Sequence, residues 1–195
     1  TISSNAGTAI RIGAGGASND ITLLRIDGES NNNSGESDSE EFGFSMKYMG
    51  SGTGTGNRYA MFMDNQQGTA IEAMSILQDG KVGIGTATPS APLHIVSSTT
   101  SDMLRLEGTD AGSSSAPDLV LYRNTSSPAD ADFVGIVDFK ANDDGGSEKY
   151  YARIGAKTRD VSAGSEDGQL FFMPAVGGST DVTNASLVLD SGFGA

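Results

Sequence analysis

Between Asp79 and Val96 the chain reads DGKVGIGTATPSAPLHIV, and no other stretch limits its possible folds as strongly. Val82 and Ile84 alternate with Gly83 and Gly85. A strand of this pattern has one apolar face and one face without side chains, against which another backbone can pack closely. Gly83 and Gly85 are therefore expected as packing glycines. Pro89 and Pro92 donate nothing to a ladder and press Thr88 and Ala91 toward extended conformations, which predicts a stiff connector after the strand. Beyond it, Leu93 and Ile95 face one way and His94 and Val96 the other. On local pattern alone the same letters also suit an ordinary strand-turn-strand.

The whole string is more specific than its parts. Gly80, Val82, Gly83, Ile84, Gly85, Thr86, Pro89, Leu93 and His94, with Ile95 in place of a usual Val, make the stretch resemble the linker-and-strand signature of bacteriophage tail-fibre and related virion fibre proteins. That signature has the form G-x-V-G-I-G-T-x-x-P-x-x-x-L-H-V and recurs between β-rich modules along a shaft. The resemblance implies a virion structural protein, extracellular on the particle, whose chains run parallel and intertwined as a homotrimer. It also implies other virion fibre or tail proteins as partners, and a role in projecting a host-recognition tip for host attachment. Within the resemblance, Val82, Gly83, Ile84, Gly85, Pro89, Pro92, Leu93 and His94 form the structural linker.

Composition points the same way. Leu, Ile, Val and Phe make up about a fifth of the chain, near the level at which apolar burial no longer offsets ordering entropy. Glycine, at 27 residues, is about twice its usual share. Such a chain can fold by sharing burial with identical neighbours. The net charge of -13 excludes nucleic acid as a partner, because phosphate binding needs a basic surface. The acidic run from Gly28 to Glu41 reads as a solvated surface that keeps extended particles apart. No apolar run reaches the ~18 residues of a membrane span, so no membrane insertion is expected. Cysteine is absent, which removes disulfides and thiolate metal sites. A chain that opens at Thr1 without Met and stops at Ala195 reads as a segment of a longer polypeptide, in which a further linker is expected soon after Ala195.

An internal repeat sets the organisation. Leu23-Leu24-Arg25-Ile26-Asp27-Gly28 returns as Met103-Leu104-Arg105-Leu106-Glu107-Gly108, and Ala73–Gly80 returns as Asn184–Ser191. Tyr59-Ala60 answers Tyr151-Ala152 between these markers, and the second unit is about thirty residues longer. Period-two alternation marks strands at Phe42–Tyr48, Leu119–Leu121 and Phe133–Phe139. Others are expected at Ile10–Ile12, Tyr59–Met63, Met74–Leu77, Tyr150–Ile154, Leu170–Met173 and Ser186–Leu189. No window carries a helical stripe. The expected fold is all-β and elongated, with two tandem sandwich-like modules, at 1–80 and 93–195, joined by an extended Gly/Pro linker at 81–92.

Chemistry-bearing clusters are sparse. His94 is the single histidine and reads as a packing residue, although three copies on an axis could converge on one metal ion. Asn142–Gly146 and Ser165–Gly168 offer oxygen ligands beside glycines, compatible with calcium, but lack EF-hand spacing and have the composition of plain turns. Gly13–Gly16 and Gly52–Gly56 lack the Lys-Ser or Lys-Thr of a phosphate loop. No cofactor is expected. Glycan hydrolysis needs two carboxylates fixed in a cleft with aromatic platforms. With no Trp and five Tyr, the chain is not expected to be an enzyme, and a glycan depolymerase ranks last. The alternative to a shaft is a carbohydrate-binding adhesin module contacting host surface polysaccharide through the loops Asn124–Asp132 and Lys157–Gly168.

Overall fold

A computed structural model describes residues 20–27, 42–50, 56–65, 70–113, 117–176, 178 and 187–191. The strand expected at Ile10–Ile12, the glycine run Gly13–Gly16 and the acidic run 28–41 lie outside the described residues. The chain divides into two compact units, Thr1–Arg105 and Leu106–Ala195. Each carries one β-sheet, and no helix occurs among the described residues, so the fold is all-β as expected. A sandwich needs two facing sheets. Among the described residues each unit has one.

The first sheet has the order β1 (Ile21–Asp27), β2 (Phe42–Met49), β3 (Arg58–Asn65), β4 (Ile71–Leu77), β5 (Val82–Ile84) and β6 (Leu93–Ile95). Strands β1 to β5 pair antiparallel with their neighbours. The alternation of Phe44, Met46 and Tyr48 with Ser45 and Lys47 fixes the register, since a slip of one residue would exchange the faces. Met46 lies opposite Met61, Tyr48 opposite Tyr59, Met61 opposite Met74, and Tyr59 opposite Ile76. Met74 in turn meets Ile84, and Ile76 meets Val82. Bulges at Leu23 and Ala73 leave those residues out of the pairing and keep the alternation in phase. One face of the sheet is thus apolar from β1 to β6.

The opposite face mixes small and polar side chains with Phe62 and Leu77. Ser45, Ala60 and Ser75 are fully buried on it. Arg58 makes a forked pair with Glu72, Nε to Oε1 at 2.7 Å and Nη2 to Oε2 at 2.9 Å, which raises the affinity of the guanidinium for its proton. Lys47 lies 4.9 Å from the Phe62 ring centroid. On the apolar face, Leu24, Met63, Ile71, Ile84 and Leu93 are each between 41% and 57% exposed.

Residues 81–92, expected as a connector, begin with β5, and Leu93, the expected start of the second module, begins β6. Val82 pairs with Leu93 and Ile84 with Ile95 in parallel register, so the eight residues between the two strands return the chain to the level of Val82. Parallel pairing ordinarily needs a crossover of a dozen residues or more. Strands of three residues leave little length to retrace, so eight suffice. By compactness the chain divides at Arg105/Leu106, after both strands.

The second sheet has the order β10 (Leu187–Asp190), β9 (Asp167–Pro174), β8 (Glu148–Asp160) and β7 (Phe133–Asn142), all antiparallel. Gly155 is central. It lies between Ile136 and Phe171 in the ladder, and the Phe171 ring occupies the space a side chain would fill. Phe171 is 1% exposed and meets Phe133 edge-to-face at 5.7 Å. The other face carries Val137, Phe139, Leu170, Leu187 and Leu189, each at least 38% exposed.

Tyr59-Ala60 and Tyr151-Ala152 both lie in inner strands, β3 and β8. In the first sheet β4 sits beside β3, whereas β10 is separated from β8 by β9. Of the excess length of the second unit, about twelve residues precede Tyr151 and about nineteen follow it, where β9 and its flanking turns lie. Met103–Gly108, the counterpart of β1, lies outside any strand. So does Leu119–Leu121, where a strand was expected.

Candidate functional site

The best-defined local geometry is the β4–β5–β6 crossover. After β4, Gly80 turns the chain with φ +88°, donating to Leu77 O at 2.9 Å, while Leu77 N donates to Lys81 O at 2.9 Å. Lys81 closes the turn on Asp79, Nζ to Oδ2 at 2.6 Å, which holds the Asp79 carboxyl below the usual carboxylate range. Val82 N then donates to Pro92 O and Val96 N to Ile84 O, each at 2.9 Å, clamping the crossover at both ends.

Two glycines make this crossover possible. The Thr86 carbonyl lies directly over buried Gly83, where a β-carbon would overlap it, and the Ser75 hydroxyl donates to the same carbonyl at 2.8 Å. Gly85 has φ +69°, and a β-carbon there would overlap the Val96 carbonyl. Its N–H donates to Ala73 O at 3.1 Å, so the bulge in β4 supplies an acceptor for the turn. Pro89 is buried and Pro92 exposed, while Val82 is half-buried. Ile84 and Leu93 extend the exposed apolar face.

His94 lies beside Gly83 in the parallel ladder. The Ser90 N–H donates to His94 Nδ1 at 3.3 Å. His94 thus ties the crossover loop to the strand that follows it. The alternation of Val82 and Ile84 foretold the strand. Thr86 stood in the signature without a stated role, while Ser75 and Ser90, which also hold the loop, gave no signal beyond being small and polar.

The acidic turns are occupied by their own backbones. Asp143 Oδ1 accepts from Gly145 N at 3.0 Å and Ser147 N at 2.8 Å, and Lys149 approaches its other oxygen at 3.7 Å. Glu166 accepts from Gly164 N, and Asp160 from the Ser162 side chain and then from Ser162 N, and these bonds hold both carboxyls below their usual range. Among the described residues no three His, Asp or Glu side chains converge as a metal site.

The second unit has an open groove of about 670 Å³ where β8, β9 and β10 meet the turn after β8. It is lined by Val134, Ala156, Leu170 and Leu189 together with Glu166, Asp167 and Asp190. Asp190 is fixed by Arg159 at 3.2 Å and by the Gln169 amide at 3.2 Å. The groove overlaps the expected Lys157–Gly168 loop but not Asn124–Asp132.

The fold and these sites define an all-β chain of two single-sheet units, with a tightly built crossover in the first and an open groove in the second. Compared with protein-family models, with curated proteins and with solved structures, the chain matches none.

Proposed function

We propose that this chain is a structural shaft segment of a bacteriophage fibre, assembled as a parallel homotrimer that holds a host-recognition tip away from the particle. The observation that carries the reading is the exposed apolar face of each sheet. A sheet hydrophobic on one face is stable when that face is buried against another layer. Here side chains such as Leu93 at 57% and Leu189 at 53% exposure stand in water in the single chain. Patches of this kind mark association surfaces. Neighbouring copies supply the missing layer, and the acidic surface keeps assembled particles apart. The threefold count, the virion location and the fibre or tail-protein partners rest on the resemblance of Asp79–Val96 to the fibre signature.

In this reading the crossover is a compact joint. Its backbone bonds and glycine contacts fix where the chain leaves the first sheet. Negative-stain images of the purified chain are expected to show narrow rods. Uniform round particles of single-chain size would contradict the reading.

The groove favours a second reading, a carbohydrate-binding adhesin module. Convergent polar groups among apolar lining residues are the usual form of a small-ligand site. Saturable binding of host polysaccharide, lost on Leu170→Arg, would support it, and the absence of binding to any host glycan would dismiss it.

A further inference from the structure

Leu119-Val120-Leu121-Tyr122 has the composition of a strand and belongs to no sheet. These side chains are 66%, 77%, 49% and 79% exposed. Among the described residues the backbone of this run makes no hydrogen bond. Four consecutive large apolar residues in water, with free N–H and C=O groups, form a template for pairing.

The run is held beside its own sheet but cannot extend it. Leu121 sits over Gly135, whose absent β-carbon would stand 2.9 Å from the Leu121 Cβ. A Cβ points out of the plane of a sheet, so Leu121 lies on the face and not along the hydrogen-bonding edge. Arg123 anchors the end of the run, donating to Phe133 O at 3.0 Å and pairing with Asp132 at 3.2 Å. Both anchors reach only the start of β7. From Ile136 to Asn142 the outer edge of β7 has no ladder partner among the described residues.

That edge suits an apolar strand. Its charged side chains are satisfied within the sheet, Asp138 by Arg153 at 2.6 Å and Lys140 by Glu148 at 3.0 Å. Val137 and Phe139 project from it at 41% and 50% exposure. We propose that Leu119–Tyr122 of one chain adds as a strand to the outer edge of β7 in a second copy of this chain. Leu119 and Leu121 then join Val137 and Phe139 on one face, and backbone bonds complete the ladder. Donation from each chain to the next is a heterologous contact, which closes into a ring under threefold rotation. The inference rests on the homotrimer proposed above.

Hydrogen exchange on the 195-residue chain, with its oligomeric state measured in the same buffer, tests the contact. In the assembly, amides of 119–122 and the outward amides of β7 are expected to exchange about 100-fold or more slowly than in free chain. Val120→Pro removes a donor that bonds nothing within the single chain, so the strand content is retained while both protections and the assembly are lost. An oligomer in which 119–122 exchanges freely, or in which Val120→Pro assembles unchanged, overturns the strand donation and leaves the fibre reading standing. A monomer, with or without protection, overturns both.

Discussion

The carbonyl oxygen of Thr86 rests directly on the Cα of Gly83, in the space where any other residue would place its β-carbon. The same oxygen accepts the Ser75 hydroxyl at 2.8 Å, so one backbone atom joins β4, β5 and the crossover loop.

Gly83→Ala is therefore expected to destabilise the first unit by about 1–3 kcal/mol, the usual cost of forcing a group into packed backbone. Gly85→Ala combines an overlap with a positive φ and should cost more. Gly80→Ala meets nothing within 4 Å and bears only its φ of +88°, about 1–2 kcal/mol. Denaturant midpoints for the three variants check the order, and Gly80 as the most sensitive would overturn it.

Ser75 and Ser45 are both fully buried on the same face, yet differ in partner. Ser75→Ala removes the bond to Thr86 O and is expected to cost about 1 kcal/mol. The Ser45 hydroxyl has no partner among the described residues, so Ser45→Ala should be neutral or stabilising. Equal losses from both substitutions in thermal unfolding would contradict this pairing.

In the second sheet Gly155 and Phe171 form a coupled pair. Gly155→Ala drives a methyl into the ring and should cost about 1–3 kcal/mol. Shortening the ring with Phe171→Leu should recover part of that loss, giving a non-additive double-mutant cycle. Additive effects would mean that the two residues do not share the space.

Acid is expected to weaken the fold. Asp79, Asp160 and Glu166 are held below the usual carboxylate range by Lys81, Ser162 and the Gly164 N–H respectively. A carboxyl lowered on folding contributes stability that is fully present above its unfolded pKa and is lost as pH falls through the folded value. The melting temperature should hold from neutral pH to about 5 and fall below about 4. Asn at 79 and 160 with Gln at 166 should flatten that fall, and an unchanged slope would refute the assignment.

Much of the strand pattern was legible because period-two alternation survives wherever one face is apolar. Phe42–Tyr48 lies within β2, Phe133–Phe139 within β7, and Leu170–Met173 within β9. Pairing was less legible. Val82–Ile84 and Leu93–Ile95 are too short to specify a partner, and their parallel register depends on the loop contacts of Thr86, Pro92 and Val96. Leu119–Leu121 alternates like a strand, yet alternation records which face is apolar and not which edge it meets. Of the groove only the Lys157–Gly168 loop was legible, since Val134, Leu170 and Leu189 converge on it from three strands.

The central claim is that the exposed sheet faces are closed by identical chains. Arg substituted for Met63 and Val137 should leave strand content intact while shifting the assembly toward single chains. The most direct measurement is the mass of the unmodified chain in solution by sedimentation equilibrium. The expected result is one species of three chains, each 20.0 kDa, that persists on dilution and in mild detergent. A stable, monodisperse species of one 20.0 kDa chain would contradict the account.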